Sequence, residues 1–264
     1  PRAIIDLVET LDSEDCESVL TSVDQWKRFA NDDDTILINT WVGSYMGLWP
    51  NTHPSYISHH RIYREMYGNI RQNFGIDLQL SEDVWDYVPE IDYNHYHEPT
   101  AEMQKELVGN VYLFCNSEVA SKQSSMDNMK NIIEYVADNH KDDTIVATER
   151  FETKCQNVIF TSDLFTSKCD LCDISYLSTK VNLIVGKNSG PFTYANTKQN
   201  LLDKNKVFVN FSHKPEDLLP YGLDIAADFR FSNTTFASPA VRIIERAIDD
   251  IKNNKQTSGY HIEK

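Results

Sequence analysis

The residues best suited to chemistry in this sequence are Gly186-Lys187-Asn188-Ser189-Gly190-Pro191, which follow the apolar stretch from Val181 to Val185. Glycines at both ends would allow a sharp turn from a strand into a helix. Pro191 suits the first helical position, where an amide has no partner to lose. Amides of such a turn face outward at the positive end of the helix dipole, which favours a phosphate. Lys187 adds a cation on a long stem, and Ser189 adds a hydroxyl. An ordinary serine-capped helix start would contain the same residues, since serine is a preferred cap. The pattern is neither GxxxxGK[ST] nor GxGxxG, so it carries no fingerprint of a nucleotide-hydrolase phosphate loop or a dinucleotide cofactor.

Three other segments read as strands that end in polar loops. Residues 110–116 lead to Asn116, Ser117 and then Lys122-Gln123-Ser124-Ser125. Residues 144–148 lead to Glu149 and Arg150, and residues 157–161 end at Thr161, Ser162 and Asp163. Ligands of an open parallel sheet bind beyond the carboxyl ends of its strands. The four tips therefore read as one surface.

Group transfer to a hydroxyl also needs a base. The candidates are His53, His59, His60, Asp92, His95, His97 and Glu98, although His59 and His60 open a helix and suit capping. Asp92-Tyr93-Asn94-His95-Tyr96-His97 mixes aromatic and polar groups as sugar clefts do, yet a plain connecting loop has the same composition. Trp41, Gly43, Ser44 and Tyr45 close the strand at 35–41 and can face a donor or an acceptor; Trp41 suits core packing equally well.

No metal site is expected. Asp32-Asp33-Asp34 precedes a strand instead of following one, and such runs are usually solvated. Asp170 and Asp173 fall on a helix. Cys169 and Cys172 form a CxxC with no second pair, and Cys155 would make only a third thiolate.

The elements that must hold these residues differ between the two halves of the chain. The first half, to about residue 106, is rich in aromatics, histidine and asparagine. It predicts helices over 14–29 and 58–74 around the strand at 35–41. The second half alternates buried strands (110–116, 144–148, 157–161, 181–186, 206–211) with helices over 125–139, 170–179, 191–202 and 238–251. The tail after Asn253 reads as frayed. Near-continuous apolar strands separated by helices indicate an α/β fold with a parallel sheet flanked by helices.

The chain has 264 residues and a formal charge of −15, from 40 acidic and 25 basic residues. That balance disfavours nucleic acid as a partner, because phosphate recognition on that scale needs a basic face. No apolar run reaches the roughly 18–20 residues of a membrane helix, and the start lacks a signal-peptide pattern. With five scattered cysteines, a soluble protein of the reducing cytoplasm is expected.

Residues 174–191 resemble the donor-lobe segment of GT-B glycosyltransferases, in particular heptosyltransferase-like and fucosyltransferase-like members. Residues 157–164 resemble that family's strand and nucleotide-facing loop, and 110–125 its donor-lobe opening; the likeness spans roughly 108–240. It implies two Rossmann-like lobes: an acceptor-side lobe at 1–106, a nucleotide-sugar lobe at 107–239 and a C-terminal helix at 240–264 returning to the first lobe. It implies Lys187, Ser189, Gly190 and Pro191 at the diphosphate of a UDP- or GDP-linked donor. Gln123, Ser124 and Asn116 would approach from the first strand, with Thr161, Ser162 and Asp163 near base or ribose. Asp92, His60 and His53 become the candidate bases. Trp41, Gly43, Ser44, Tyr45, Tyr93 and His95 would line the side of a glycan acceptor. Transfer would need no metal, because the helix start and Lys187 would stabilise the leaving diphosphate. The competing reading is a non-catalytic Rossmann-like module that binds a nucleotide or a protein.

Overall fold

The computed structural model describes Arg71, Gly75 and residues 83–93, 107, 109–117, 126, 128–165, 171–212 and 223–263. The chain divides into two compact units, Pro1–Leu80 and Ser81–Lys264. Every element below belongs to the second unit.

The second unit is an α/β fold built on a seven-stranded, all-parallel sheet. Its strands are β1 (Val111–Cys115), β2 (Thr144–Ala147), β3 (Val158–Phe160), β4 (Leu183–Lys187), β5 (Val207–Phe211), β6 (Asp228–Ser232) and β7 (Gly259–Ile262), in the order β3-β2-β1-β4-β5-β6-β7. β1, β2, β4, β5 and β6 are buried along their whole length, as strands covered on both faces must be. The direction of chain progression reverses between β1 and β4. Such a switch point opens a crevice at the carboxyl ends of the two strands.

Side chains alternate between the faces with period two. Tyr112, Phe114, Leu183, Val185, Val207, Val209 and Phe211 pack under α1 (Met129–Asn139) and α6 (Ala237–Lys252). Leu113, Cys115, Ile184, Phe208, Phe229 and Phe231 pack under α3 (Leu171–Ser178) and α4 (Gly190–Ala195). Phe208 and Phe229 stack at 4.7 Å, and Phe192 of α4 meets both edge-on at 6.0 and 6.1 Å. α1 buries Met129, Ile132, Ile133, Val136 and Ala137; α6 buries Ala240, Ile243, Ile244, Ala247, Ile248 and Ile251. These are the three- and four-residue spacings of an amphipathic helix.

Polar networks anchor the helices at the end of the sheet opposite the tips. Lys252 of α6 pairs with Asp143 at 2.8 Å and donates to His140 Nδ1 at 3.1 Å. The imidazole proton is then left on Nε2, which donates to Glu245 at 2.8 Å. Burial would raise the Asp143 pKa, but bonds from Lys252, Tyr112 and the Asn110 amide more than offset this and hold it below its usual value. Lys206, just before β5, donates to the Ser178 and Val181 carbonyls at the end of α3. Burial pulls its pKa down to about 8 against the opposing charge of Asp203.

Several elements depart from expectation. The helix predicted over 125–139 begins at Met129 with Asn128 in the cap position. The helix predicted over 191–202 is two pieces, α4 and α5 (Lys198–Leu201). They are separated at Asn196 and Thr197, where the Thr197 side chain caps α5 by accepting from the Asn200 amide. Thr161 opens α2 (Thr161–Leu164) and does not lie in a loop. α6 starts at Ala237, so Pro239 is its third residue and not its first. β6 and β7 were not expected at all, and β7 lies where the tail reads as frayed.

Candidate functional site

The tips of β1 and β4 meet at the switch point. Cys115 stands opposite Gly186, and Gly186 stands opposite Asn210 of β5 and, one strand further, Phe231 of β6. All four lie on the α3/α4 face. Gly186 is the last β4 residue on that face and lies inside the strand, not in the turn. Its role is space: a Cβ there would come within 2.6 Å of Phe192 Cδ2 and 2.8 Å of Cys115 Cβ. Burial pushes the Cys115 thiol far above its ordinary pKa, so it stays protonated and is no nucleophile.

Lys187 continues the row of Leu183 and Val185 and therefore faces α1 and α6. It is only 6% exposed, and no carboxylate of the described residues pairs with it. Beyond it the chain turns tightly, with the Ser189 amide donating to the Lys187 carbonyl at 2.7 Å. Ser189, 7% exposed, occupies the cap position of α4 but makes no capping bond. Its Oγ is buried with no hydrogen-bond partner among the described residues. An ordinary serine cap would bond the helix amides; this one does not. Gly190 and Pro191 open α4, and a Cβ on Gly190 would meet Leu171 of α3 only at ordinary distance, 3.4 Å.

At the β1 tip, the Asn116 side chain clamps the tip of β2. Its Oδ1 accepts from the Glu149 amide at 2.8 Å, and its Nδ2 donates to the Glu149 carbonyl at 2.9 Å. Ser117 and Thr148 hydroxyls lie 3.3 Å apart beside it. The clamp fixes the Glu149 backbone while its side chain stays exposed. At β3, Thr161 donates to the Thr148 carbonyl at 3.2 Å. Ser162 and Asp163 are held by Arg150, whose guanidinium lies 4.6 Å over the Phe160 ring. This group sits three strands from β4, roughly 14 Å at the usual spacing.

Of the proposed acceptor-side residues, Tyr93 docks on α3. Its hydroxyl lies 2.8 Å from Ser175 Oγ, and its ring packs at 5.5 Å on Tyr176. Asp92 is exposed next to it. Trp41, Gly43, Ser44, Tyr45, His53, His60, His95, Gln123 and Ser124 lie outside the described residues. Among the described residues, no group of three His, Cys, Asp or Glu is placed to hold a metal ion, and no helix is long and apolar enough to cross a membrane.

Sequence reasoning passed over Asn210. It is fully buried, and neither amide atom has a hydrogen-bond partner among the described residues. The signal was a single amide in the apolar run from Val207 to Phe211. Unpaired buried polar groups cost about 1–3 kcal/mol each, whereas an apolar side chain of similar shape removes that penalty. Asn210→Leu is therefore expected to stabilise the ligand-free protein by about 1–2 kcal/mol in urea unfolding. A lower midpoint would mean that the amide is satisfied in solution.

No protein-family model matches this chain, and no curated protein matches it.

Proposed function

We propose that the chain is a metal-independent glycosyltransferase of GT-B type, taking a UDP- or GDP-linked sugar and transferring it to a glycan hydroxyl. The observation that carries this reading is the turn at residues 187–189. There Lys187, buried with no carboxylate partner among the described residues, and the Ser189 hydroxyl, buried with no hydrogen-bond partner among them, sit at the switch point of a parallel sheet. Buried charge is unfavourable unless compensated, and a phosphate would compensate it. In the reaction, the acceptor oxygen bonds to the anomeric carbon as the bond from that carbon to the diphosphate oxygen breaks. The electron pair of the broken bond goes to the diphosphate, where Lys187 balances it. The acceptor proton goes to a base, for which Asp92, exposed beside Tyr93, is the candidate among the described residues. α4 has only six residues and a correspondingly small dipole, so Lys187 carries the larger share of charge stabilisation.

The test is thermal shift with UDP, GDP, ADP and CMP and their sugars, on wild type and Lys187→Ala. One nucleotide class is expected to stabilise the wild type and to bind the variant at least about tenfold more weakly, since hydrogen bonds to charged groups contribute about 1.5–3 kcal/mol. A wild type stabilised by none of them ends the reading. Binding without hydrolysis or transfer would leave the non-catalytic module.

A further inference from the structure

We propose that the Asn210 amide recognises the uncharged part of the donor, its base or its sugar, on the α3/α4 side of the sheet. This rests on the nucleotide-donor reading and adds a residue for what the phosphates do not carry. Asn210 is the last residue but one of β5, the strand beside β4. It therefore lies at the carboxyl end of the sheet, where ligands of parallel sheets bind. Phe208, two residues earlier, packs on the α3/α4 face, so the Asn210 side chain shares that face.

Its register neighbours give the amide nothing to bond. Gly186 has no side chain, and Phe231 is apolar. The Asn210 side chain is fully buried, and neither Oδ1 nor Nδ2 has a hydrogen-bond partner among the described residues. Native proteins pair nearly all such atoms, so an amide open at both ends carries a cost that a bound group can offset. The second, independent observation is Ser189, more than nine-tenths buried, whose Oγ is also unbonded among the described residues. It occupies the cap position of α4, which packs on the same face as Asn210. From Gly186, directly opposite Asn210, the chain reaches Ser189 in three residues. Two neutral polar groups thus stand unpaired on one side of adjacent strand tips. An amide offers donors and an acceptor together. An ionised phosphate has no proton to give and would leave Oδ1 unpaired. A base edge donates and accepts at adjacent atoms, which is how asparagine pairs with bases, and a sugar hydroxyl does both at one oxygen.

Two variants remove the amide: Asn210→Leu fills its volume, and Asn210→Ala leaves room. The probes are inorganic pyrophosphate, UDP, GDP, UDP-glucose and GDP-mannose, with affinity read by calorimetry and ligand-free stability by urea midpoint. Asn210→Leu is expected to keep or raise the midpoint. Both variants should bind the nucleotide or nucleotide sugar preferred by wild type at least about tenfold more weakly, with pyrophosphate affinity unchanged. A loss already present with the free nucleotide assigns the amide to the nucleoside. A loss present only with the nucleotide sugar assigns it to the sugar. A lower midpoint for Asn210→Leu shows an amide already satisfied and overturns the proposal. So does full affinity in both variants, an equal loss for pyrophosphate, or a loss confined to Asn210→Leu, which is steric blocking. The donor reading survives each of these results. A wild type that binds no nucleotide and no nucleotide sugar ends the donor reading itself.

Discussion

Arg230→Met is expected to destabilise the second unit by about 3–5 kcal/mol, the penalty for breaking a buried ion pair from one side. Arg230 of β6 grips Asp228 with two hydrogen bonds, Nε to Oδ1 at 3.1 Å and Nη2 to Oδ2 at 2.7 Å, and reaches Asp250 of α6 at 2.7 Å. Asp228 is fully buried. It also accepts from the Thr257 amide at 3.2 Å, which ties in the segment entering β7. Burial lowers the Arg230 pKa, but the two carboxylates more than restore it and hold it above its usual value. Losing its proton is therefore no escape for this group. Methionine matches the arginine stem and leaves one fully buried carboxylate without its counter-charge. The paired change Arg230→Met with Asp228→Leu should recover most of the loss, because apolar replacement of a whole buried pair is often neutral or better. Urea unfolding of the two single variants and the double variant closes the cycle. Additive losses would show that the pair does not act as a unit. The same contact holds the last turn of α6 at Asp250.

That network also explains what the sequence concealed. β1, β2, β4 and β5 were legible because each is an apolar run bounded by turns. β6 reads Asp-Phe-Arg-Phe-Ser, with charges at alternate positions, and resembles a surface segment. The charges are buried because Asp228 and Arg230 neutralise each other on the α6 face while Phe229 and Phe231 fill the other. Alternation told of two faces but not that both were interior. β7 is only four residues long, Gly-Tyr-His-Ile, and joins the edge that β6 presents. The site was legible in part. Lys187 and Ser189 lie at the switch point because β4 was read correctly, and its place beside β1 follows from sheet order, which no local pattern encodes. The clamp that the Asn116 amide makes on the β2 tip was not read from the sequence. That pairing joins residues 33 apart and is invisible to any local window. The length of α4 was misjudged because Thr197 restarts the chain as a cap, and a threonine inside a helical pattern gives no sign of which role it plays.

Gly186→Ala is expected to cost about 1–3 kcal/mol, the usual penalty for overpacking a filled core, and to weaken nucleotide binding with it. The new methyl would meet the Phe192 ring at 2.6 Å and Cys115 Cβ at 2.8 Å. Cys115 is fixed in the register between β1 and β4 and cannot retreat. Phe192 is wedged against Phe208 and Phe229, so it can yield only by lifting α4. Because α4 begins immediately after Ser189, the displacement passes straight into the turn at residues 187–189. Phe192→Ala alone should be costly, about 3–5 kcal/mol for a buried phenylalanine. In the Gly186→Ala background the same truncation should cost clearly less, because it also removes the clash. Two residues in contact are where additivity should fail, by about 0.5–3 kcal/mol. Unfolding free energies of the four proteins test this, and thermal shift with the preferred nucleotide reads the turn. If Phe192→Ala costs the same in both backgrounds, the glycine is not there to admit the phenylalanine. If Gly186→Ala loses stability but keeps full nucleotide affinity, the turn is not rigidly coupled to α4.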